Sequence, residues 1–281
     1  MNLFEFRLQA QALALSTLLS GIALLAQAGE EFSPKRIKTT SGVTYTMFPK
    51  GKLVFDFVVS RPARTQSEVY LCIPSAFTTP YDQVDGVYIS NGLIGNAHGV
   101  NKELGGAMLI ENGQCKLLST NKGTMITEKF LNDVQRGRGS LFQQFLIVHD
   151  GKAASFKDKS RFQRRAVCET TKGTFGVVES DKPITFTTFN DDLVSIGIKE
   201  ALYCDMGAWD EGWYRSGTTG EVTKIGLDRS LTNRQSNWLL MKAPKKLTPK
   251  KSEPKKLEPK KLEPKKLTPK KLEEGAGALN K

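Results

Sequence analysis

Short runs of β-branched and aromatic residues, separated by polar and turn-forming residues, are the feature that most limits how this 281-residue chain can fold. The runs alternate or are continuously apolar, as half-buried and buried strands are, and few segments have helical periodicity. They cover residues 53–59, 68–74, 86–90, 106–112, 143–150, 164–170, 173–180 and 201–205. The sequence therefore predicts an α+β fold: a strand-dominated mixed sheet with few helices, in one globular domain.

Turn and helix signals lie between these runs. Asn112-Gly113 predicts a tight hairpin, and residues 171–173 are expected to join two paired strands. Capping residues and acidic first-turn residues mark helix starts. Two helices are predicted: 187–198, capped by Thr187 or Thr188 and ended by Gly197, and a second around Thr127 to Arg136.

The first 28 residues are predicted to be a signal peptide. An apolar run from Leu13 to Leu25 is followed by Ala26-Gln27-Ala28, the small-x-small pattern of a cleavage site. The run is shorter than the roughly 20 residues of a membrane-spanning helix. An N-terminal membrane anchor is the alternative interpretation. The predicted mature chain is exported, periplasmic or secreted, has no transmembrane segment, and begins at Gly29 with a lead to residue 42.

The positive charge is concentrated at the C-terminus. Residues 242–281 hold 14 lysines and 5 glutamates, so they carry +9 of the formal net charge of +12. Proline at every fifth position from 244 to 269 prevents a continuous helix, and one leucine per repeat gives little apolar area. Residues 244–281 are therefore predicted to be a disordered Pro/Lys-rich tail, leaving 43–243 as the domain. The tail is either a solvated spacer or a strip that holds an anionic envelope polymer, and nucleic acid is an unfavoured partner because no aromatics are present to stack bases.

Four cysteines, at positions 72, 115, 168 and 204, lie in apolar stretches. Their even number is compatible with an oxidising compartment and allows three disulfide pairings. Their apolar surroundings favour free buried thiols, and their spacing matches no metal site.

Three segments, taken in order, resemble the phosphodiester glycosidase family, the group that includes the enzyme uncovering mannose 6-phosphate on lysosomal glycoproteins. They are GVYISNGLIG followed by GGAMLIENGQ, then FQRRAVCETTKGTFGVVES, then ITFTTFNDDLVSIGIKEALYCDMGAWDEG. The family has an Ile-Asn-Gly-Gly-Phe-Phe segment before a hairpin, an Arg-Thr-Ala-Ile/Val-Gly strand, and a strand entering Leu-Asp-Gly-Gly-Gly-Ser-Ser. The resemblance covers roughly residues 40 to 240.

The resemblance assigns site residues by position. Asn91 and Gly92 match the asparagine-glycine pair, Arg165 matches the arginine strand, and Asp205 and Gly207 match the aspartate turn. The turn departs from the family pattern, because Met206, Ala208, Trp209 and Asp210 replace most of the glycine and serine residues. Glycines there would let backbone amides approach a phosphate. Their loss therefore weakens the expectation of a phosphodiester substrate more than the expectation of a sugar.

The chemistry of the reaction that the resemblance implies gives each residue a role. Cleaving a sugar from phosphate at the anomeric carbon needs a carboxylate near that carbon and a counter-charge for the phosphate. Asp205 is the candidate carboxylate and Arg165 the candidate phosphate contact, with its neighbour Arg164 expected in solvent. Further catalytic candidates are Asp210 or Glu211 as a second carboxylate and His98 as a general acid. Asn91, Gly92, Gly207 and Trp209 are the predicted substrate-binding residues, with Trp209 as a stacking face for a sugar ring.

Two functions remain open from the sequence. The first is an exported hydrolase that cleaves a sugar from a sugar-1-phosphodiester or related glycan. The second is a non-catalytic glycan-binding envelope protein on the same scaffold, held to an anionic surface by its basic tail. No cofactor is predicted, although a divalent cation near Asp205 is conceivable. The spacing of Asp205, Asp210 and Glu211 matches no calcium loop.

Overall fold

The computed structural model describes residues 32–209 and 211–244. Within them the chain forms three antiparallel sheets and two α-helices in one domain, as the sequence predicted. The predicted signal peptide and the repeat region beyond residue 244 lie outside the described residues. No helix of the described part is long and apolar enough to cross a membrane.

The first sheet has seven strands and the other two have five each. In spatial order, the first sheet contains β1 (Lys35–Lys38), β2 (Thr44–Pro49), β13 (Phe175–Ser180), β12 (Arg165–Thr170), β14 (Ile198–Tyr203), β10 (Leu146–His149) and β11 (Lys152–Ala153). The second contains β16 (Val222–Ile225), β15 (Gly212–Arg215), β4 (Val69–Pro74), β17 (Trp238–Lys242) and β3 (Val54–Val58). The third contains β6 (Leu93–Gly95), β5 (Tyr88–Ser90), β9 (Ser140–Gln144), β7 (Gly106–Glu111) and β8 (Gln114–Ser119).

The three sheets meet in one central core. Phe48 and Leu202 of the first sheet, Phe57 of the second and Phe142 of the third are all fully buried in it. The outer face of the first sheet is covered by helix α2 (Phe186–Ser195), and that of the third by helix α1 (Glu128–Arg136). Strand β12 therefore has a packed layer on each side, which decides where its arginines can lie.

Local signals account for most element boundaries. Asn112 and Gly113 both have positive φ, and they join β7 to β8 as the Asn-Gly signal predicted. The helix predicted around Thr127 to Arg136 is present as α1, and Thr127 caps it by accepting a hydrogen bond from the Phe130 amide at 3.1 Å. The cap predicted for α2 is wrong by two or three residues: Thr185 accepts from the Thr188 amide at 3.2 Å. The helix begins earlier because Ile184 is fixed by a bridge to Phe162.

Two other predictions need correction. The predicted single strand over 143–150 is two strands, because the chain passes from the third sheet to the first at Phe145. The predicted lead 29–42 contains β1, which pairs with β2 and so belongs to the first sheet. The four cysteines are free, as expected, and burial raises the pKa of each thiol to about 12.

The buried Asp192 carboxylate of α2 anchors the N-terminal segment that contains β1 and β2. Asp192 is 5% exposed and accepts hydrogen bonds from the hydroxyl groups of Tyr45 at 2.7 Å, Ser41 at 2.6 Å and Thr39 at 3.1 Å. These bonds connect the helix to the first two strands. We therefore expect Asp192 to contribute strongly to the stability of the domain.

Replacing Asp192 with alanine is expected to lower the free energy of unfolding by about 3 kcal/mol, because it leaves the buried Tyr45 hydroxyl without its acceptor. Asp191→Ala on the exposed side of the same helix is the matched control, expected to change stability by less than about 0.5 kcal/mol. Urea unfolding of both variants gives the two values. Equal losses would contradict the anchoring role of Asp192.

Candidate functional site

Asp205 lies two residues beyond the end of β14 and is 4% exposed. Its main-chain amide donates to the carbonyl of Ser75 at 2.9 Å, and its carboxylate accepts from the amide of Thr78 at 3.0 Å. Ser75 and Thr78 follow β4 in the second sheet. The carboxylate is thus held at the junction of the first and second sheets. It faces the residues that follow β4, which the sequence did not predict to be its partners.

A network of polar side chains surrounds this junction. Asn237, just before β17, accepts from the Ser75 hydroxyl at 2.6 Å and from the Ala76 amide at 2.8 Å. The Thr78 hydroxyl lies 3.2 Å from the Gln235 side-chain oxygen and 3.0 Å from the Ser236 hydroxyl. The strand ends that carry these groups are adjacent because β4 pairs with β17. The network therefore holds Asp205 in one position and leads from it to Ser236.

Burial raises the pKa of the Asp205 carboxyl to about 7, against the opposing effect of hydrogen bonds from Thr78, Met206 and Gln235. Desolvation of the charged form outweighs these donors because the carboxylate is almost completely enclosed. A carboxyl group with such a pKa exchanges its proton near neutral pH. This is the property that a general base or general acid requires.

Arg165 at the start of β12 and Arg164 just before it lie on opposite faces of the first sheet. Ala166 pairs with Tyr203, and the Arg165 carbonyl accepts from the Cys204 amide, so Arg165 shares a face with Cys204. Arg165 is fully buried and forms a salt bridge with Glu179 on β13, with its Nε 2.7 Å from the carboxylate. Arg165 thus lies on the inner face of the first sheet, paired with Glu179.

The expectation that Arg164 lies in solvent is wrong, since only 2% of it is exposed. Its guanidinium carbon lies 3.8 Å from the centre of the Phe186 ring, and it donates to the Tyr203 hydroxyl at 3.0 Å. Helix α2 and its neighbours cover the outer face of the sheet, so both faces of β12 are enclosed. Arg164 therefore lies among the aromatic side chains on the outer face of the first sheet.

The turn after Asp205 is only partly described, because Asp210 lies outside the described residues. Gly207 has φ of +82°, a conformation that favours glycine, and Trp209 is half-buried with the Arg234 guanidinium 5.7 Å from its ring. Glu211 accepts from Arg61 and Arg64, both at 2.5 Å. The Trp209 ring and the Glu211 carboxylate thus already have cationic neighbours within the chain.

Asn91, Gly92 and His98 lie around the β5–β6 hairpin. Asn91 has φ of +51°, and its main-chain amide donates to the Ser140 hydroxyl at 2.9 Å. The Gly92 amide donates to the Gly139 carbonyl at 2.8 Å, which packs the turn against the end of α1. His98 is exposed in the following loop. Asn91 and Gly92 thus bond to residues 139 and 140, whereas Asp205 bonds to Ser75 and Thr78.

A cleft of about 370 Å³ opens beside the Asp205 network. Ser236, which bonds to Thr78, forms part of its wall. Its other walls include Val59, Asp82, Gln83, Tyr88 and Asn96. The sequence did not indicate Thr78, Gln235, Ser236 and Asn237 as site residues, because no local pattern distinguishes them from other loop residues. The pairing of β4 with β17 is what brings their segments together.

The described residues contain no group of three or more histidine, cysteine, aspartate or glutamate side chains that could hold a metal ion. Donors from Thr78, Met206 and Gln235 surround the Asp205 carboxylate, as expected for an anion held by hydrogen bonds.

The fold and this site define a strand-dominated α+β domain with a buried carboxyl group beside a polar cleft. Of known structures, the catalytic domain of zebrafish N-acetylglucosamine-1-phosphodiester alpha-N-acetylglucosaminidase, auto-inhibited by pro-peptide, is similar in fold. The match has a TM-score of 0.50 and 10% identity, and covers 76% of this chain and 83% of the zebrafish chain. A hypothetical protein from Synechocystis matches with a TM-score of 0.47 and 11% identity, over 75% of this chain and 61% of that one. No family model matches the sequence, and no curated protein matches it.

Proposed function

We propose that this protein is an exported hydrolase that cleaves a sugar from a sugar-1-phosphodiester or a related glycan, with Asp205 as its catalytic carboxylate. The observation that carries the proposal is the buried Asp205 carboxyl, with a pKa of about 7, at a strand end, whose hydrogen-bond network reaches the wall of an open polar cleft through Thr78 and Ser236. The shared fold with a phosphodiester glycosidase supports the choice of reaction. Export rests on the signal-peptide pattern that ends at Ala28.

In the proposed reaction a water molecule attacks the anomeric carbon, and the bond from that carbon to the phosphate oxygen breaks. The products are a free sugar and a phosphomonoester. Asp205, in its ionised form, removes the proton of the water or stabilises the positive charge at the anomeric carbon. The phosphate group leaves as a stable anion, since its second pKa is about 6, so one catalytic carboxylate is a sufficient minimum.

The phosphate also needs a cationic partner. Arg165 is buried and forms a salt bridge with Glu179, its direct neighbour on β13, so we assign it a structural role. We propose that Arg234 takes its place. Its side chain is 40% exposed and bonds to Asp82 of the cleft wall at 2.8 Å. Trp209, which lies beneath that guanidinium, holds it there.

The second candidate function is a non-catalytic glycan-binding envelope protein on the same scaffold. The engagement of Arg165 and Glu211 in salt bridges within the chain favours it, because both were candidates for catalysis. In this case the basic C-terminal repeats would hold the protein at an anionic envelope polymer, with a strength that falls as salt rises.

Incubating the purified protein with a panel of sugar-1-phosphodiesters and identifying the products by mass tests the first function. Free sugar together with phosphomonoester is the expected result. Saturable glycan binding without any product would overturn the hydrolase and favour the binding protein.

The rate of hydrolysis is expected to rise as the pH increases from 5 to 8, with an inflection near the Asp205 pKa of about 7. Both proposed roles of Asp205 need the ionised form, which predominates only above that pKa. Initial rates under kcat/KM conditions across this range give the profile. A rate that falls through pH 7 would instead make Asp205 a general acid.

A further inference from the structure

We propose that the cleft bounded by Tyr88, Asn96, Asp82 and Ser236 is a binding site for a neutral sugar ring. This deepens the proposed function, on which it rests for the identity of the substrate. The cleft presents an aromatic ring, a carboxamide, a carboxylate and a hydroxyl group, and its described walls include no lysine or arginine. Such a surface offers hydrogen bonds to sugar hydroxyls and an aromatic face.

The Tyr88 ring is positioned by a glycine on the neighbouring strand. Tyr88 of β5 pairs with Gly95 of β6, and a Cβ atom at Gly95 would come within 2.1 Å of Tyr88 Cζ. Any side chain at position 95 would therefore push the phenol ring out of its place. The ring also makes an edge contact with Phe57, whose ring centre is 6.0 Å away.

Asn96 is held in a similar way. A Cβ atom at Gly99 would lie 2.0 Å from Asn96 Nδ2, so the carboxamide lies directly over that glycine. The same nitrogen donates to the Gly86 carbonyl at 3.0 Å, and Asn96 has φ of +49°. Two glycines of the GLIGNAHG segment thus leave space for two side chains of the cleft wall.

The location of the cleft fits a sugar whose anomeric carbon points toward Asp205. Ser236 lies in the cleft wall and contacts Thr78, whose amide donates to the Asp205 carboxylate. The volume of about 370 Å³ is at the small end of the range for ligand sites, which suits one or two sugar rings. Arg234 bonds to Asp82 at 2.8 Å, so the cation proposed for the phosphate lies at one edge of the same cleft.

Gly95→Ala is the most direct test because its predicted clash is with the far end of a flexible side chain, so the fold can adjust while the Tyr88 ring moves. Gly105→Ala is the matched control, since a Cβ atom there meets nothing within 4 Å. Binding of N-acetylglucosamine, methyl α-glucopyranoside and methyl α-mannopyranoside is measured by saturation-transfer NMR. Thermal unfolding of each variant shows whether its fold is retained.

The wild type, Asp205→Asn and Gly105→Ala are expected to bind at least one of these sugars, and Gly95→Ala and Tyr88→Ala to bind it about tenfold more weakly. No binding by the wild type, or unchanged binding by folded Gly95→Ala, would overturn the proposal. Sugar binding without phosphodiester turnover would keep this site and overturn the hydrolase. Turnover that is lost in Asp205→Asn but unchanged in both Gly95→Ala and Tyr88→Ala would keep the hydrolase and overturn this site.

Discussion

Replacing Asp205 with asparagine is expected to abolish hydrolysis and, at the same time, to remove a pH-dependent loss of stability. The amide keeps the shape of the carboxyl group and can still accept from the Thr78 amide, but it has neither a proton to exchange nor a negative charge. A catalytic base or charge-stabilising group contributes about 10²–10⁴-fold to the rate. Turnover is therefore expected to fall by at least about a hundredfold.

The effect on stability follows from the raised pKa of this buried group. The ordinary pKa of 3.8 rises to about 7 in the folded protein, so between these values the folded state holds a proton that the unfolded state has released. Stability from Asp205 is therefore complete at low pH and is lost as the pH rises toward 7. Between pH 5 and pH 8 the wild type is expected to lose about 3 kcal/mol that the Asp205→Asn variant does not lose.

Urea unfolding of both proteins at pH 5 and pH 8 measures this difference, and product formation on the same samples measures turnover. A carboxylate that merely capped the turn in its charged form would give the opposite result, with the asparagine variant less stable at pH 8. Activity loss together with a relative gain in stability at high pH would be typical of a group kept for function at the expense of stability.

Local sequence signals predicted the elements better than the contacts between them. The strands of 68–74 and 164–170, the Asn112-Gly113 hairpin and the helix capped by Thr127 depend on neighbouring residues, so a single sequence contains their determinants. The passage of the chain from the third sheet to the first at Phe145 has no such local signal, because the apolar residues FLIV of the run QQFLIVHD continue across it. Its division is imposed by the packing of two sheets.

The partners of Asp205 were even harder to predict from the sequence than the division of this strand. The position of Asp205 after an apolar strand correctly suggested a carboxylate at a strand end, but its partners Thr78 and Gln235 are separated from it by 127 and 30 positions in the sequence. Only the pairing of β4 with β17 brings them together. Alternation placed Arg164 and Arg165 on opposite faces, yet it could not show that both faces are covered.

Breaking the salt bridge between Arg165 and Glu179 is expected to destabilise the domain by about 3–5 kcal/mol, because Glu179→Ala removes a carboxylate that is paired with a fully buried guanidinium. Asp133→Ala is the control. It removes an exposed carboxylate that also pairs with cations, and its expected effect on stability is much smaller than that of Glu179→Ala. Chemical unfolding of the two variants measures the difference.

The double variant Arg165→Met/Glu179→Leu then separates structure from catalysis. Replacing a buried ion pair by apolar residues of similar size is often neutral or stabilising, so the double variant is expected to fold at least as well as Glu179→Ala and nearly as well as the wild type. If Arg165 is structural, as its position opposite Cys204 indicates, the folded double variant should retain most of its turnover. A folded double variant without turnover would show that Arg165 acts on the substrate after all. The phosphate contact would then belong to Arg165, and Arg234 would lose the role proposed for it.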